Sequence, residues 1–222
     1  MNKHSQQKGF TIIELLIATS VFSVVLLIAS TASIQIGRLY YKGLVSARTQ
    51  EVARNVMDSV GQDLQFSDSK SFKQDYTDSG LAQINWATQS PSEPVSHAFA
   101  VCIGSSRYTY WLGQQVQGGN HGLVVDTAPA SGCAPAASGT ELLGDNMRLT
   151  QFSVVRPATN TGTYNLSIKV AYGDSDLLTT YNEDGSRVTG SELKDTLCRS
   201  GIAGNSFCAT SMLDTTVKRR LE

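Results

Sequence analysis

The chain has 222 residues, enough for one domain with a real core plus one further element. Its 18 Lys and Arg stand against 19 Asp and Glu, so no net field exists to draw nucleic acid or acidic ligands. The charges nevertheless avoid one place, since residues 15–37 contain no Asp, Glu, Lys or Arg.

That charge-free stretch is long enough to cross a hydrocarbon core as a helix. It is only moderately apolar: Thr19, Ser20, Ser23, Ser30, Thr31, Ser33 and Gln35 interrupt it. Small hydroxylated side chains bond back to their own helix, so lipid tolerates them, and they let neighbouring helices approach closely. Three readings compete: a cleaved secretory signal, a plain membrane anchor, and a helix that packs beside copies of itself. The first has Lys3 and Lys8 for its basic end but an overlong apolar part. Glu14 separates the other two. A carboxylate at the start of such a span is costly unless paired. An inert anchor has no use for it, whereas a packed subunit can set it against a positive group on a neighbour. The natural group is the α-amine that a cut before Phe10 would free. The flanking charges do not settle topology, because Lys3 and Lys8 precede the span while Arg38, Lys42 and Arg48 follow it closely.

The run Lys8-Gly9-Phe10-Thr11-Ile12-Ile13-Glu14-Leu15-Leu16 resembles the leader junction of type IV prepilins and type II secretion pseudopilins. The resemblance covers about ten residues placed directly before the charge-free helix. It implies a short basic leader over residues 1–9, cleavage after Gly9 by a membrane-embedded prepilin peptidase, and N-methylation of Phe10. It further implies that Glu14 pairs with the amine of an adjacent subunit. Other pilin or pseudopilin subunits, an inner-membrane assembly platform and membrane lipid are the partners it brings. The chain departs from many pilins in lacking a helix-kinking proline in this segment; its first Pro is Pro91.

Beyond Gly37 the helical pattern continues. Val45, Val52, Val56, Val60 and Leu64 recur on one face, and Ala53 and Met57 widen the stripe. Arg48, Gln50, Glu51, Arg54, Asn55 and Asp58 fill the other face. A helix over residues 11–65, on the order of 80 Å long, is predicted, with Gly37 and Gly43 as candidate hinges. The polar run beginning at Ser67 is its predicted stop.

From residue 71 the reading turns to strands. Residues 82–88 form a short candidate strand. Residues 98–103 and 107–112 form a hairpin across Gly104-Ser105-Ser106, and residues 122–126 form a further strand. Residues 128–140 read as an Ala- and Pro-rich loop. Residues 147–156 and 163–172 form the strongest pair. In the second of these, Tyr164, Leu166, Ile168, Val170 and Tyr172 alternate with polar Asn165, Ser167 and Lys169. Residues 157–162 make the turn between them, and residues 215–221 a last edge strand. The predicted class is α+β: the pilin fold, a long N-terminal helix packed on one antiparallel sheet. The segments are then a leader over residues 1–9, a membrane or filament-core helix over 10–37, an amphipathic half over 38–66, and a β-rich head over 67–222. The stretch from Gly144 to Leu149 with the following strand pair is similar to the head of J-type pseudopilins and W-type minor pilins. That likeness and the large head imply a minor subunit.

Four cysteines, Cys102, Cys133, Cys198 and Cys208, allow three pairings. Cys198 and Cys208 flank a Gly-containing loop, so local pairing is geometrically easy; it would leave Cys102 and Cys133 to fasten the Ala/Pro loop to the hairpin. The alternative is four free thiols. Disulfides would require an oxidising compartment, in keeping with a head outside the cytoplasmic membrane. No Cys-x-x-Cys pattern, nucleophile elbow or phosphate-binding loop occurs. His4, His97 and His121 are isolated and read as solvated. Asp174, Asp176, Glu183 and Asp184 are acidic and loop-like, but a solvated turn explains them better than calcium. Lys218-Arg219-Arg220 is a small basic cluster, more simply a soluble tail than a contact for DNA. The expectation is a non-enzymatic filament subunit of a type IV pilus or secretion pseudopilus, without metal or cofactor. It begins in the inner membrane as a single-pass protein with its head outside the cytoplasm. The alternative is an anchored extracytoplasmic adhesin that forms no filament.

Overall fold

The structure, a computed structural model, describes residues 10–67, 73–74, 98–128, 133–155, 162–182, 184–188, 190–202 and 204–220. The expected leader with Gly9, the strand over residues 82–88, Arg156, most of the turn over 157–162, His4, His97 and Glu183 lie outside the described residues. The chain divides into two units, one ending at Tyr41 and one running from Lys42 to Glu222.

One helix, α1 (Ile12–Phe66), runs without a break, and neither Gly37 nor Gly43 interrupts it. In the first unit every described residue is exposed, including the aliphatic ones. The hydroxyls there return to their own helix as their chemistry demands. Thr19 and Ser20 donate to the Leu16 and Ile17 carbonyls (3.1 and 2.9 Å), Ser23 to Thr19 (2.8 Å), and Thr31 and Ser33 to Ile28 and Ala29 (2.9 Å each).

In the second unit α1 buries a single stripe: Val45, Thr49, Ala53, Val56, Met57, Val60, Gly61 and Leu64. Thr49 and Gly61 had no place in the apolar pattern. Thr49 is admitted because its hydroxyl donates to the Val45 carbonyl at 2.8 Å. Gly61 is admitted because it lies against Val217, where even a Cβ would stand 3.8 Å away. The end of the helix is capped from several sides. The Ser67 amide donates to Asp63 (2.9 Å), the Ser67 hydroxyl to Leu64 (3.3 Å) and the Arg220 amide to Gln65 (3.0 Å).

The strands form two sheets rather than the one expected. The first has the order β1 (Lys73–Gln74), β2 (Ala98–Ile103), β3 (Ser106–Trp111), β4 (Leu123–Thr127), β5 (Thr140–Glu141). The second has the order β6 (Met147–Val155), β7 (Thr163–Tyr172), β8 (Ala209–Lys218). All ladders are antiparallel. In chain order the sheets divide between β5 and β6. Gly113, with φ 79°, turns the chain after β3, and a side chain there would meet the Tyr181 hydroxyl at 2.5 Å. The segment after it runs along β6, with Gly113 donating to Leu149 (2.7 Å) and Val116 to Met147 (2.8 Å). One core spans α1 and both sheets.

Strand β6 lies where expected and β8 is longer than expected. Strand β6 carries a bulge between Leu149 and Gln151. Met147 and Leu149 face the core before it and Phe152 and Val154 after it, a change of phase that one extra residue produces. Strand β8 begins at Ala209 and pairs with β7 over ten residues, so the expected strand over 215–221 is only its second half. Its first half, Ala-Thr-Ser-Met, has no apolar alternation to betray it. Lys169 differs as well. It points to the outer face yet is buried, with Nζ donating to the Lys194 carbonyl at 2.5 Å, and burial lowers its pKa.

The clearest polar tie between α1 and the sheets is Tyr108. Its fully buried hydroxyl donates to Asp63 Oδ2 at 2.6 Å and lies 3.1 Å from Ser59 Oγ. Burial, chiefly, drives its pKa well above the ordinary phenol value. Tyr108→Phe is expected to lower unfolding free energy by about 1–2 kcal/mol, the cost of orphaning a charged acceptor. Urea denaturation measures it, and a change near zero would show that the tie carries no net stability.

Candidate functional site

The N-terminal segment carries the features that point furthest toward function. Phe10 and Thr11 precede the first turn of α1 and are exposed, Phe10 at 81%. Thr11 is the N-cap. The Glu14 amide donates to the Thr11 carbonyl (3.1 Å) and also approaches Thr11 Oγ1 (3.4 Å). Thr11 Oγ1 in turn lies 3.5 Å from Glu14 Oε2. The Thr-x-x-Glu spacing is that of a capping box, of which one half is made: the Thr11 hydroxyl meets the Glu14 amide, and the Glu14 carboxylate approaches that hydroxyl rather than a backbone amide. The carboxylate also sits in the first turn, where the helix dipole favours it. Glu14 therefore has a local role that the sequence reading missed, although the four-residue spacing held the signal. Its carboxylate remains exposed, with no cation paired to it among the described residues.

The 18-residue window of highest hydropathy in α1 has a mean of 2.6, and none of it is buried. Length and composition thus suit a membrane span or the interior of a helix bundle.

The head carries two disulfides. Cys102–Cys133 joins residues 31 apart with Cα atoms 5.9 Å from each other; Cys198–Cys208 joins residues 10 apart, at 5.8 Å. The first forms a small cluster with Ala100, and Ala128 packs on it. The loop carrying Cys133 is stitched to the first sheet twice more. Arg107 Nη1 donates to Ala134 (3.0 Å), and the Ala136 amide donates to Thr109 Oγ1 (3.1 Å). Arg107 itself clasps the cross-strand Asp126 in a two-pronged pair, Nε to Oδ1 at 2.8 Å and Nη2 to Oδ2. That hydrogen bonding holds the Asp126 carboxyl below its ordinary pKa and raises Arg107.

The remaining candidates resolve into structural contacts. His121 is half-exposed rather than simply solvated. Its Nδ1 lies 3.3 Å from Glu141 Oε2 and its ring tilts against Trp111. Glu141 also accepts from the amides of Gly122, Leu123 and Leu143. Asp174 accepts from Gln115 (3.2 Å), and Asp184 from the Ser186 amide and hydroxyl (2.9 and 2.6 Å). With Asp176 and Arg199 these two line an open cleft, and among the described residues no group of three or more ligating side chains could hold a metal. The basic cluster is not a loose tail: Lys218 ends β8, the Arg219 amide donates to Gly162, and the Arg220 guanidinium lies over the Phe66 ring at 5.7 Å. Arg148, unremarked in the sequence except as part of a motif, is buried. It lies 4.6 Å from the Tyr181 ring centre and donates to Gln115, Gly173 and Ser175.

Residues 4–30 match the family model described as the prokaryotic N-terminal methylation motif. The chain thus carries the type IV prepilin and pseudopilin signal, and its fold, one long N-terminal helix with two antiparallel sheets, is the pilin-like α+β architecture. No curated protein and no solved structure matches the chain.

A depressed carboxyl contributes stability that is fully present above its unfolded pKa, about 3.9, and is lost as pH falls through that value toward the folded one. The head should therefore lose stability below about pH 4. Asp126→Asn should be less stable at neutral pH and should show a shallower acid loss. Parallel acid profiles for the two proteins would show that the Arg107 pair does not contribute.

Proposed function

We propose that this type IV pilin-like protein is a minor pilin or pseudopilin subunit. It is cut after Gly9 by a prepilin peptidase, methylated at the Phe10 amine, and built into a filament through an inner-membrane assembly platform. The observation that carries the proposal is the methylation-motif match ending in a capped, charge-free helix whose aliphatic surface is wholly uncovered. A surface of that size asks for lipid before assembly and for neighbouring helices after it.

Cleavage at Gly9–Phe10 hydrolyses one peptide bond and leaves a protonatable amine at the head of the helix. The first turn of α1 presents the Glu14 carboxylate beside that position. In a bundle, the amine of one subunit meets Glu14 of the next. Association energy comes mainly from apolar helix packing. The ion pair contributes register, because desolvation offsets much of its attraction while an unpaired partner is heavily penalised. A subunit docked out of register would bury one charge alone.

The head belongs outside the cytoplasm in this reading, and its two disulfides support that placement. Its size, against one membrane-like segment, supports a minor rather than a bulk subunit.

Because the Glu14 carboxylate also lies against the Thr11 hydroxyl of the helix cap, two variants are needed. Glu14→Gln keeps a side chain able to cap but removes the charge, and Glu14→Ala removes both. Each should lower incorporation into filaments by roughly a hundredfold or more, the scale expected when one partner of a buried pair is lost, while the head stays folded. Gly9→Val should leave the chain uncut. Normal incorporation of Glu14→Gln would contradict the pairing role, and efficient processing of Gly9→Val would contradict the cleavage site.

A further inference from the structure

The two edges of the second sheet differ. On the β6 side the segment after β3 covers the first half of the strand, with Gly113 bonded to Leu149 and Val116 to Met147. On the β8 side no further strand pairs among the described residues. The Arg219 amide donates to Gly162, which continues the β7·β8 register. Odd-numbered residues of β8 therefore bond to β7, and even-numbered ones turn their amides and carbonyls outward. The Arg220 amide obeys the same parity and leaves the sheet for Gln65. Met212, Asp214, Thr216 and Lys218 are exposed, and their outward backbone groups have no partner among the described residues. The edge strands of the first sheet, β1 and β5, are two residues each, so β8 is the longest open edge among the described residues.

The side chains of this edge say what fits it. Even-numbered residues point away from the core, since Ala209, Ser211 and Val217 are the buried ones. Asp214 faces Ser167 across the ladder and Lys218 faces Thr163, so neither meets a charge on β7. Neither forms an ion pair among the described residues. Four residues apart on one strand, they stand about 14 Å from each other, too far to pair. Their spacing is instead complementary to itself. A second β8 laid antiparallel and centred on Thr216 sets each Asp214 against the other copy's Lys218 and the two Thr216 residues against each other. All of these are even-numbered, so the outward backbone groups of both copies meet as hydrogen-bonded pairs. Centring on Asp214 would oppose two carboxylates, and centring on Thr215 would leave all four charges unpaired.

We propose that β8 binds β8 of a second copy edge to edge, antiparallel about Thr216, in one continuous sheet with three strands from each head. Opposite charges and threonine pairs directly across two strands stabilise a sheet, and like charges there destabilise it. The charges that blunt an open edge against other strands thus select one partner and one register. A contact one strand wide is small beside the roughly 1,600 Å² of a standard interface, so the pairing is weak and depends on concentration. It lies wholly within the head and does not rest on the filament reading.

The test uses the full chain in detergent, carrying Thr216→Cys and treated with a short bismaleimide, which leaves the disulfides intact. The two Thr216 Cα atoms would be about 5.5 Å apart in the proposed register. A covalent dimer should form, with a yield that rises with protein concentration. Gln151→Cys, on β6 and far from the edge, should give none. Added to Thr216→Cys, Asp214→Lys and Lys218→Asp should each lower the yield by roughly tenfold or more, because two attractive pairs become repulsive. An equal mixture of those two variants should recover it, since each presents the charges the other lacks, and the recovery shows that both are folded. No dimer from Thr216→Cys, equal yields in the charge variants, or no recovery in the mixture overturns the proposal. As much dimer from Gln151→Cys as from Thr216→Cys also overturns it. The expected yields from a chain that cells leave uncut would sink the filament reading and leave the pairing standing.

Discussion

One unbroken helix has to satisfy two solvents. Over its first unit α1 buries nothing, and its hydroxyls are tied to its own carbonyls. Over its second it buries one stripe against a core drawn from both sheets. Most other features answer one of these demands. The Thr11 cap meets the Glu14 amide, which an apolar surrounding could not hydrate. The Ser67 and Arg220 contacts close the opposite end, where the second sheet returns to the helix. A proline in the middle would remove a hydrogen bond and bend the element, and α1 contains none.

The head is organised to hold a sheet pair on a narrow helical stripe. Its long ladders are β6·β7, with one bulge, and β7·β8, while β1 and β5 are only two residues each. Covalent and charged ties gather where regular pairing is thin. Cys102–Cys133 and the Arg107–Asp126 clasp secure the loop after β4, and Cys198–Cys208 closes the segment leading into β8. A disulfide acts chiefly by restricting the unfolded chain, typically by 2–4 kcal/mol. Arg148 performs a related task without a covalent bond, joining β6 to Gly173 and Ser175 and stacking on Tyr181.

Much of this was legible from residue order because the helix speaks with one period and the junction with one motif. Val45, Val56, Val60 and Leu64 lie where their spacing placed them, and Tyr164, Leu166, Ile168 and Val170 face the core as their alternation required. The misreadings have physical causes. The opening of β8 is small and polar, so its pairing follows from β7 rather than from its own side chains. Lys169 read only as a polar alternating residue and His121 as solvated, since their partners, the Lys194 carbonyl and Glu141, are 25 and 20 residues away. Glu14 was noticed for its charge, while its spacing from Thr11, which explains its local geometry, went unused.

In the proposed reading the bond between Gly9 and Phe10 is the pivot of assembly, because the amine freed there would be the group that Glu14 meets. The mass of the N-terminal peptide of the membrane-extracted or filament-borne chain tests this most directly. The predicted result is a peptide beginning at Phe10 and carrying one methyl group. A chain still bearing residues 1–9, or one beginning at any other residue, would contradict it.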